Sequence, residues 1–243
     1  MKLDSNQDPM GHAIAHYHKN RAAEPLRVFS SMFDEDELPV PHLFRTFDEM
    51  NRLEQTALRM AHGRVLDVGS GAGCHALYLQ ERGLEVTSID VSGLAVETQR
   101  KRGVTDAMHA DFFEHDFGQC FDTVLMLMNG IGICGALERL PQLFIRLDDI
   151  LAPGGCLLAD SSDLSYIYED EEGKVDLSGV KGYYGEVDFR MQYGDIKGPP
   201  FHWLYIDEIT LTTIAHAAGY EAEVVCRGNH HDFLMQLKRM CEK

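Results

Sequence analysis

Short apolar runs alternate with segments of helical periodicity along the chain from residue 64 onward. The apolar, β-branched runs predict strands over residues 64–68, 84–89, 107–110, 123–128 and 155–160. Between them, apolar residues spaced three or four apart predict helices over 74–82, 93–102 and 141–151. Regular alternation of this kind is typical of an α/β fold, in which a mostly parallel sheet carries helices on both faces.

After residue 160 the pattern changes to strict alternation of apolar and polar side chains. This alternation covers residues 187–193 and again 201–205, and the turn-forming segment 194–200 separates the two. The pattern predicts a β-hairpin inserted before a last helix over 206–218. Residues 221–226 and 233–237 then predict a closing pair of antiparallel strands joined by a short connection.

The first 63 residues precede the alternating core and predict an N-terminal segment that caps it. Residues 11–19 predict a short helix. Thr46 and Glu49 match a capping box, which predicts the start of a second helix that Gly63 ends. We therefore divide the chain into a lid, residues 1–63, and a main domain, residues 64–243, with an insertion at about 161–205.

The segment from Val65 to Gly73 carries the clearest chemical signal. An apolar strand contains the acid Asp67 near its end, and glycines follow at positions 69, 71 and 73. Glycine lets a backbone turn tightly and approach a ligand closely. A dinucleotide-binding fingerprint would have its third glycine at position 74, where this chain has Cys74. The spacing therefore disfavours a nicotinamide-dependent (NAD) oxidoreductase, which stays an alternative.

Polar residues stand at the ends of the next predicted strands. Asp90 ends the second, Asp111 follows the third and Asn129 follows the fourth. Because the carboxyl ends of parallel strands meet at one edge of a sheet, we expect these residues and Asp67 to share one site. Asp90 can accept hydrogen bonds from both hydroxyls of a ribose. Its alternative role is an ordinary turn or helix cap, since Ser92 and a glycine follow it.

Together these motifs resemble those of the class I S-adenosylmethionine (SAM)-dependent methyltransferase family, over about residues 64–238. The resemblance implies a Rossmann-like seven-stranded sheet, mostly parallel, with an antiparallel last strand beside the fifth. It also implies SAM as cofactor and S-adenosylhomocysteine (SAH) as product. The cofactor contacts it implies are Asp67, Gly69, Ser70, Gly71, Gly73, His75, Asp90, Val91, Asp111, Phe112, Met128 and Asn129. Tyr17 and Arg45 of the lid are further candidates to close over the cofactor, Arg45 by pairing with its carboxylate.

Methyl transfer from a sulfonium is an in-line displacement, so the protein mainly aligns the acceptor and excludes water. A general base is needed only where the acceptor carries a proton, and the sequence has no signature of one. The fourth and fifth strand ends and the insertion supply the candidates for an acceptor site: Asn129, Asp160, Asp163, Tyr166, Tyr184 and Glu186. Their alternative roles are structural, as turn caps and as cover for the sheet.

The formal net charge of -17 opposes binding to a phosphate backbone, which needs clusters of lysine and arginine. Residues 129–131 lack the Asp/Asn-Pro-Pro-aromatic motif of amino-methylating DNA enzymes, and the Pro-Cys motif of cytosine methylases is absent. We therefore expect a small-molecule acceptor, no nucleic-acid or membrane partner, and a monomer or homodimer. A non-catalytic SAM-binding regulatory protein and an aminopropyl-transferring relative that uses decarboxylated SAM stay as alternatives.

The six cysteines form no C-x-x-C pair, and most lie in apolar stretches. This predicts buried thiols in a reducing compartment. The first nine residues lack the apolar core of a signal peptide, so we expect a cytoplasmic location. His12 and His16 have the spacing of metal ligands on a helix, but no glutamate joins them in the zincin arrangement, and we expect no metal site.

Overall fold

The computed structural model describes residues 2–240. Its helices are α1 (Pro9–Asn20), α2 (Arg52–Met60), α3 (Cys74–Glu81), α4 (Gly93–Arg102), α5 (Leu140–Ile150) and α6 (Glu208–Ala217). Its strands are β1 (Leu26–Phe29), β2 (Asp36–Leu38), β3 (Arg64–Val68), β4 (Glu85–Asp90), β5 (Asp106–His109), β6 (Phe121–Met126), β7 (Leu151–Ser162), β8 (Glu186–Tyr193), β9 (Ile196–Lys197), β10 (Phe201–Leu204), β11 (Tyr220–Arg227) and β12 (Asp232–Arg239). Short 3-10 turns connect several of these elements.

The central sheet has seven strands in the order β11-β12-β7-β6-β3-β4-β5. Strands β3 to β7 pair in parallel, whereas β12 runs antiparallel between β7 and β11. This confirms the Rossmann-like α/β fold and the antiparallel last strand beside the fifth. Strand β7 is longer at both ends than predicted, because its outer residues also pair with β12 and β6.

Both faces of the central sheet are buried, as expected for strands that are apolar throughout. On one face, Leu66 and Val124 lie in a core cluster with residues of α5 and α6. On the other face, Val65 and Leu125 lie in a cluster with residues of α2, α3 and α4. Each such leucine or valine is fully buried and stabilises the fold by about 2 kcal/mol. The rigid sheet fixes the positions of the loops at its carboxyl edge.

A second, antiparallel sheet joins the N-terminal segment to the insertion. Its order is β10-β8-β1-β2, and β9 pairs with β8. The β8 and β10 strands pair as the predicted hairpin, with Phe189 opposite Phe201. Strands β1 and β2 were not predicted, because β1 is short and its partner β8 lies far along the chain, with Val28 opposite Met191. Long-range pairing of this kind leaves little local signal in sequence.

Helix α1 lies between the second sheet and the central domain. Its Ala13 belongs to an apolar cluster with Leu26 of β1, and its Ile14 to a cluster with Ala72 and Ala95. Neighbouring residues of one helix therefore contact both layers. The N-terminal segment and the insertion consequently form one cover against the core.

The predicted start of the helix before β3, at Thr46, was wrong: the helix begins after Asn51, five residues later. Thr46 and Glu49 do pair, since the Thr46 N–H donates to Glu49 Oε2 at 2.7 Å, but they close a separate 3-10 turn. A second capping box begins α2: the Glu54 N–H donates to Asn51 Oδ1 at 2.9 Å, and Glu54 Oε2 accepts from the Asn51 N–H at 3.2 Å. Two successive caps in one sequence explain the error.

Four of the five cysteines among the described residues are buried free thiols, and Cys120 is half-buried. Cys241 lies outside the described residues. Across residues 2–240, no helix combines the length and the apolar character that crossing a bilayer requires.

Candidate active site at the carboxyl edge of the central sheet

The loop after β3 turns through three glycines in the left-handed region. Gly69, Gly71 and Gly73 have φ values of 68°, 53° and 81°. A Cβ built on Gly69 or Gly71 would meet no atom within 4 Å, whereas one on Gly73 would lie 3.0 Å from Val104 Cγ2. The first two glycines therefore border open space at the sheet edge, and the third lets the loop pack against Val104 and Gln99.

Side chains from the next βα unit fix this loop. Gln99 of α4 donates to Ser70 Oγ at 2.9 Å and to the Gly71 carbonyl at 2.8 Å. The Ser70 N–H donates to the Ile89 carbonyl of β4 at 3.1 Å. The loop is thus held in shape before any ligand is considered.

Asp90 lies at the end of β4, directly beside the glycine loop. Its Oδ2 accepts from the Gly71 N–H and its Oδ1 from the Ser92 N–H, each at 2.8 Å. Each carboxylate oxygen keeps a second lone pair for a ligand hydroxyl. Burial raises the pKa of Asp90 to about 6, against the opposing effect of these two hydrogen bonds. Val91 follows, and its carbonyl accepts from His109 Nε2 at 2.8 Å.

Asp67, near the end of β3, is 1% exposed, and its Oδ2 atom is buried without a hydrogen-bond partner. His75 Nδ1 lies 3.8 Å from Asp67 Oδ1, and His75 Nε2 lies 2.8 Å from Glu54 Oε1. Arg45 forms a buried ion pair with the same glutamate through two guanidinium nitrogens, and its third donates to the His42 carbonyl. Arg45, which was predicted to pair with a cofactor carboxylate, thus already has a partner, and the direct contact stays a prediction.

These buried groups shift one another's protonation. Burial would raise the pKa of Glu54, but hydrogen bonds from His75 and Arg45 lower it to about 2. Burial would lower the pKa of His75, but Cys74, Asp67 and Glu54 raise it well above its usual value. At neutral pH the charged Glu54 carboxylate therefore lies between two cations, His75 and Arg45.

The third strand end supplies Asp111 and Phe112. Asp111 Oδ1 accepts from the Phe113 N–H at 2.8 Å and fixes the turn. Phe112 is 4% exposed, and its carbonyl accepts from Arg146 Nε at 2.8 Å. Phe112, a predicted cofactor contact, therefore lies at this edge with its side chain mostly buried in the core.

After β6 the backbone is unusual at two consecutive non-glycine residues. Met128 and Asn129 have φ values of 65° and 55°. Two contacts from the insertion side hold them: Trp203 Nε1 donates to the Asn129 carbonyl, and Ser162 Oγ donates to Asn129 Oδ1, both at 2.9 Å. A Cβ on Gly132 would lie 2.0 Å from Trp203 Nε1, so the glycine makes room for the indole. Strain of this kind concentrates at functional sites and needs surrounding support.

Asp160 lies beside this turn, near the end of β7. It is 5% exposed, and its Oδ1 accepts from the Gly130 N–H at 3.4 Å. Burial raises its pKa to about 6, although backbone hydrogen bonds from Asn129 and Gly130 oppose the shift. The site thus contains two carboxyl groups, on β4 and β7, that titrate near neutrality.

The remaining acceptor candidates differ in the contacts that they make. Tyr184 donates to Asp163 Oδ1 at 2.7 Å, so these two residues are in direct contact. Tyr166 is 44% exposed and stacks on His231, with ring centroids 4.9 Å apart. Glu186 instead accepts from the Leu137 N–H at 2.8 Å, which gives it a structural role.

The N-terminal segment packs against the glycine loop and against Arg102 of α4. Tyr17 packs against Phe44, with ring centroids 4.7 Å apart, so it contacts the lid's own aromatic residue. The Arg102 guanidinium lies 4.7 Å from the Phe44 ring centroid and also donates to the Ala72 carbonyl inside the loop. Asp8 accepts from Ser92 Oγ and thereby ties the start of α1 to the turn after β4.

His12 and His16 have different partners. His12 Nε2 lies 2.9 Å from the Ser5 carbonyl, and His16 Nδ1 lies 2.5 Å from the Tyr193 hydroxyl. Within residues 2–240, no three histidine, cysteine, aspartate or glutamate side chains are grouped to hold a metal ion.

Sequence reasoning missed Glu54 and Trp203. Glu54 had a signal as the third residue of the second capping box, but that pattern gives no hint of its contact with His75. Trp203 is the chain's single tryptophan. It lies far along the chain from the glycine-rich stretch 130–135, so its contact with the Asn129 carbonyl depends on the fold.

Comparisons with known proteins agree with this geometry. A family model described as a methyltransferase domain matches residues 65–155. An uncharacterized methyltransferase of Staphylococcus carnosus is 36% identical over 188 residues, which are 75% of this chain and 81% of that protein. A crystal structure of a SAM-dependent methyltransferase from Bacteroides fragilis, in complex with SAH, is 52% identical, covers 99% of this chain and 98% of that one, and has a TM-score of 0.93.

A more distant structure shows the fold alone. The CcbJ methyltransferase of Streptomyces caelestis is 16% identical, with coverage of 96% of this chain and 98% of that one and a TM-score of 0.62. Together with the strand order and the glycine loop after β3, these similarities show that the chain belongs to the class I SAM-dependent methyltransferase family.

Proposed function

We propose that the chain transfers the methyl group of SAM to a small-molecule acceptor at the carboxyl edge of the central sheet. The observation that carries this proposal is the cover over that edge. Arg102 and Phe44 join the N-terminal segment to the glycine loop, and Trp203 joins the insertion to the turn at Asn129. A covered edge suits a small acceptor better than a duplex or a folded protein surface, and the net charge of -17 also disfavours nucleic acid.

Residues at the ends of β3, β4 and β5 fit the cofactor, and we call them the cofactor edge. The unpartnered Asp67 Oδ2 suits an ammonium donor, and Gly69 and Gly71 leave room for a ligand against the backbone. The free lone pairs of Asp90 suit ribose hydroxyls. The other proposed contacts on this edge are Ser70, Gly73, Val91, Asp111 and Phe112. When bound, SAM supplies a methyl group on a positively charged sulfur.

Residues at the ends of β6 and β7 form the proposed acceptor edge. Asn129, with Met128, lies between the two edges, and Asp160, Asp163, Tyr166 and Tyr184 lie beyond it. These side chains align the acceptor and exclude water. Because the pKa of Asp160 is about 6, its carboxylate is ionised at pH 7 and can receive a proton from an acceptor hydroxyl or amine.

The test is transfer of the radiolabelled methyl group of SAM into a cell extract split by ultrafiltration, compared with a parallel reaction without the protein. Unreacted SAM is removed from the filtrate by chromatography before counting. We expect label above this control on compounds of the low-molecular-weight filtrate. Extra label on nucleic acid or protein in the retained fraction would refute the small-molecule proposal. Binding of SAH without extra label in either fraction would favour a non-catalytic SAM-binding protein.

Variants of the acceptor edge test its residues. We expect Asp160→Asn and Tyr184→Phe to lower turnover about tenfold or more, with SAH affinity retained. Asp176→Asn is the matched control, because this exposed acid of the insertion accepts from the nearby Ser178, whose N–H lies 2.9 Å from Oδ1. Unchanged turnover in both acceptor-edge variants would remove these residues from the site.

A further inference from the structure

Four buried charged groups connect the N-terminal segment to the acid of the cofactor edge. Arg45 and Glu54 come from before the core, and His75 and Asp67 from the core itself. They form a chain of contacts: Arg45 pairs with Glu54, Glu54 Oε1 lies 2.8 Å from His75 Nε2, and His75 Nδ1 lies 3.8 Å from Asp67 Oδ1. Every member is 5% exposed or less.

The charges of this chain balance when the imidazole is protonated. Asp67 and Glu54 carry two negative charges, and Arg45 and His75 carry two positive ones. A buried charge without a partner costs several kcal/mol, so each member depends on its neighbours. Asp67 Oδ2, at the end of these contacts that borders the glycine loop, is a buried oxygen without a hydrogen-bond partner.

We propose that Arg45, Glu54 and His75 are positioning residues, which hold the Asp67 carboxylate charged and oriented so that its Oδ2 receives the ammonium group of the cofactor. The inference rests on the cofactor site proposed above. It assigns Arg45 an indirect role, through Glu54, in place of the predicted direct contact. The N-terminal segment thereby contributes to cofactor binding without touching the cofactor.

Removing a member of the chain changes the proton balance of cofactor binding. Asp67 and Glu54 are among the groups that raise the pKa of His75. Replacing Glu54 lowers that pKa, and replacing His75 removes the titrating ring, so the number of protons exchanged when the cofactor binds changes. The charged and titratable groups that face His75 and Glu54 are Asp67 on β3, Cys74 on α3, Asp160 on β7, and His42 and Arg45 before α2.

The experiment is calorimetric titration of SAH into wild type, Glu54→Gln, His75→Gln and Glu49→Gln, at several pH values and in two buffers of different ionisation enthalpy. We expect Glu54→Gln and His75→Gln to weaken binding about tenfold at pH 7 and to change the number of protons exchanged on binding relative to wild type. Glu49→Gln is the matched control, since Glu49 caps an exposed turn of the same segment. Its affinity and proton release should equal those of wild type.

The outcomes separate the two proposals. Failure of wild type to bind SAH would refute the cofactor site itself. Wild-type binding, with affinity and proton release in Glu54→Gln equal to those of Glu49→Gln, would overturn the positioning role alone.

If Glu54→Gln does not fold, Arg45→Lys and nitrogen-15 NMR of the wild-type histidines replace it. An imidazolium signal of His75 that persists to pH 8 supports the proposal, and a neutral ring at pH 7 overturns it.

Discussion

The cofactor edge and the acceptor edge lie on the same sheet but are built by different means. At the cofactor edge, the Gly71 N–H donates to Asp90, and Gln99 donates to the loop, so contacts between adjacent βα units fix the shape. At the acceptor edge, the turn at Asn129 is held by Trp203, which is 74 residues away and belongs to the second sheet.

This difference separates the two halves of the proposed reaction. The glycine loop depends on backbone conformations that its own sequence allows. The acceptor edge depends on how the insertion packs, so substitutions there alter the acceptor side and leave the loop in place. We therefore expect cofactor affinity and turnover to respond to different sets of residues.

The largest effect is expected from Gly71→Val. A β-branched residue is strained at φ 53°, and its side chain would occupy the space beside the loop. We expect SAH affinity to fall about 100-fold or more, measured by calorimetry. Gly83→Val, at φ 82° in the turn between α3 and β4 at the opposite edge of the sheet, imposes similar backbone strain and should keep wild-type affinity. Equal affinity in both variants would place the cofactor elsewhere.

A smaller effect is expected from the titration of Asp90, whose pKa is about 6 because of burial. The ionised carboxylate can accept from both ligand hydroxyls, whereas protonation turns one of its oxygens into a donor, so SAH affinity should fall as pH drops through 6, by up to about tenfold per pH unit below it. Asp90→Asn should flatten this profile. Asp160→Asn should not, although Asp160 has a similar pKa, because it lies on the acceptor edge. A profile flattened by Asp160→Asn instead would contradict the separation.

The smallest effect is expected from Trp203→Phe, which removes the hydrogen bond to the Asn129 carbonyl. An unsatisfied carbonyl costs about 1–3 kcal/mol, and the strained turn loses a support. Turnover should fall about tenfold while SAH affinity changes less than about twofold. His202→Ala, an exposed neighbour on β10, is the control for both measurements. A loss of SAH affinity equal to the loss of turnover would show that the two edges are not independent.

The sequence contained enough to predict the central sheet and the glycine loop. Leu66 and Val124 belong to apolar runs that become buried strands, and the glycine spacing corresponds directly to three left-handed backbone positions. Both signals are local: each depends on residues within a few positions of one another. The acids Asp67 and Asp90 followed from their places at strand ends.

The cover and its links to the site could not be predicted in this way. Strand β1 pairs with β8 across more than 150 residues. The capping box at Thr46 precedes the capping box of Glu54 that begins α2, so the first pattern does not show where the helix starts. The contacts of Glu54 with His75 and of Trp203 with Asn129 are set by the packing of distant segments. No periodicity or motif reports such contacts, since they depend on the folded arrangement alone.

A crystal structure of the complex with SAH tests the account most directly. We expect the amino group of SAH within hydrogen-bond distance of Asp67 Oδ2, its ribose hydroxyls on Asp90, and Arg45 still paired with Glu54. An Asp67 Oδ2 atom without a ligand contact, together with an Arg45 side chain moved onto the SAH carboxylate, would contradict it.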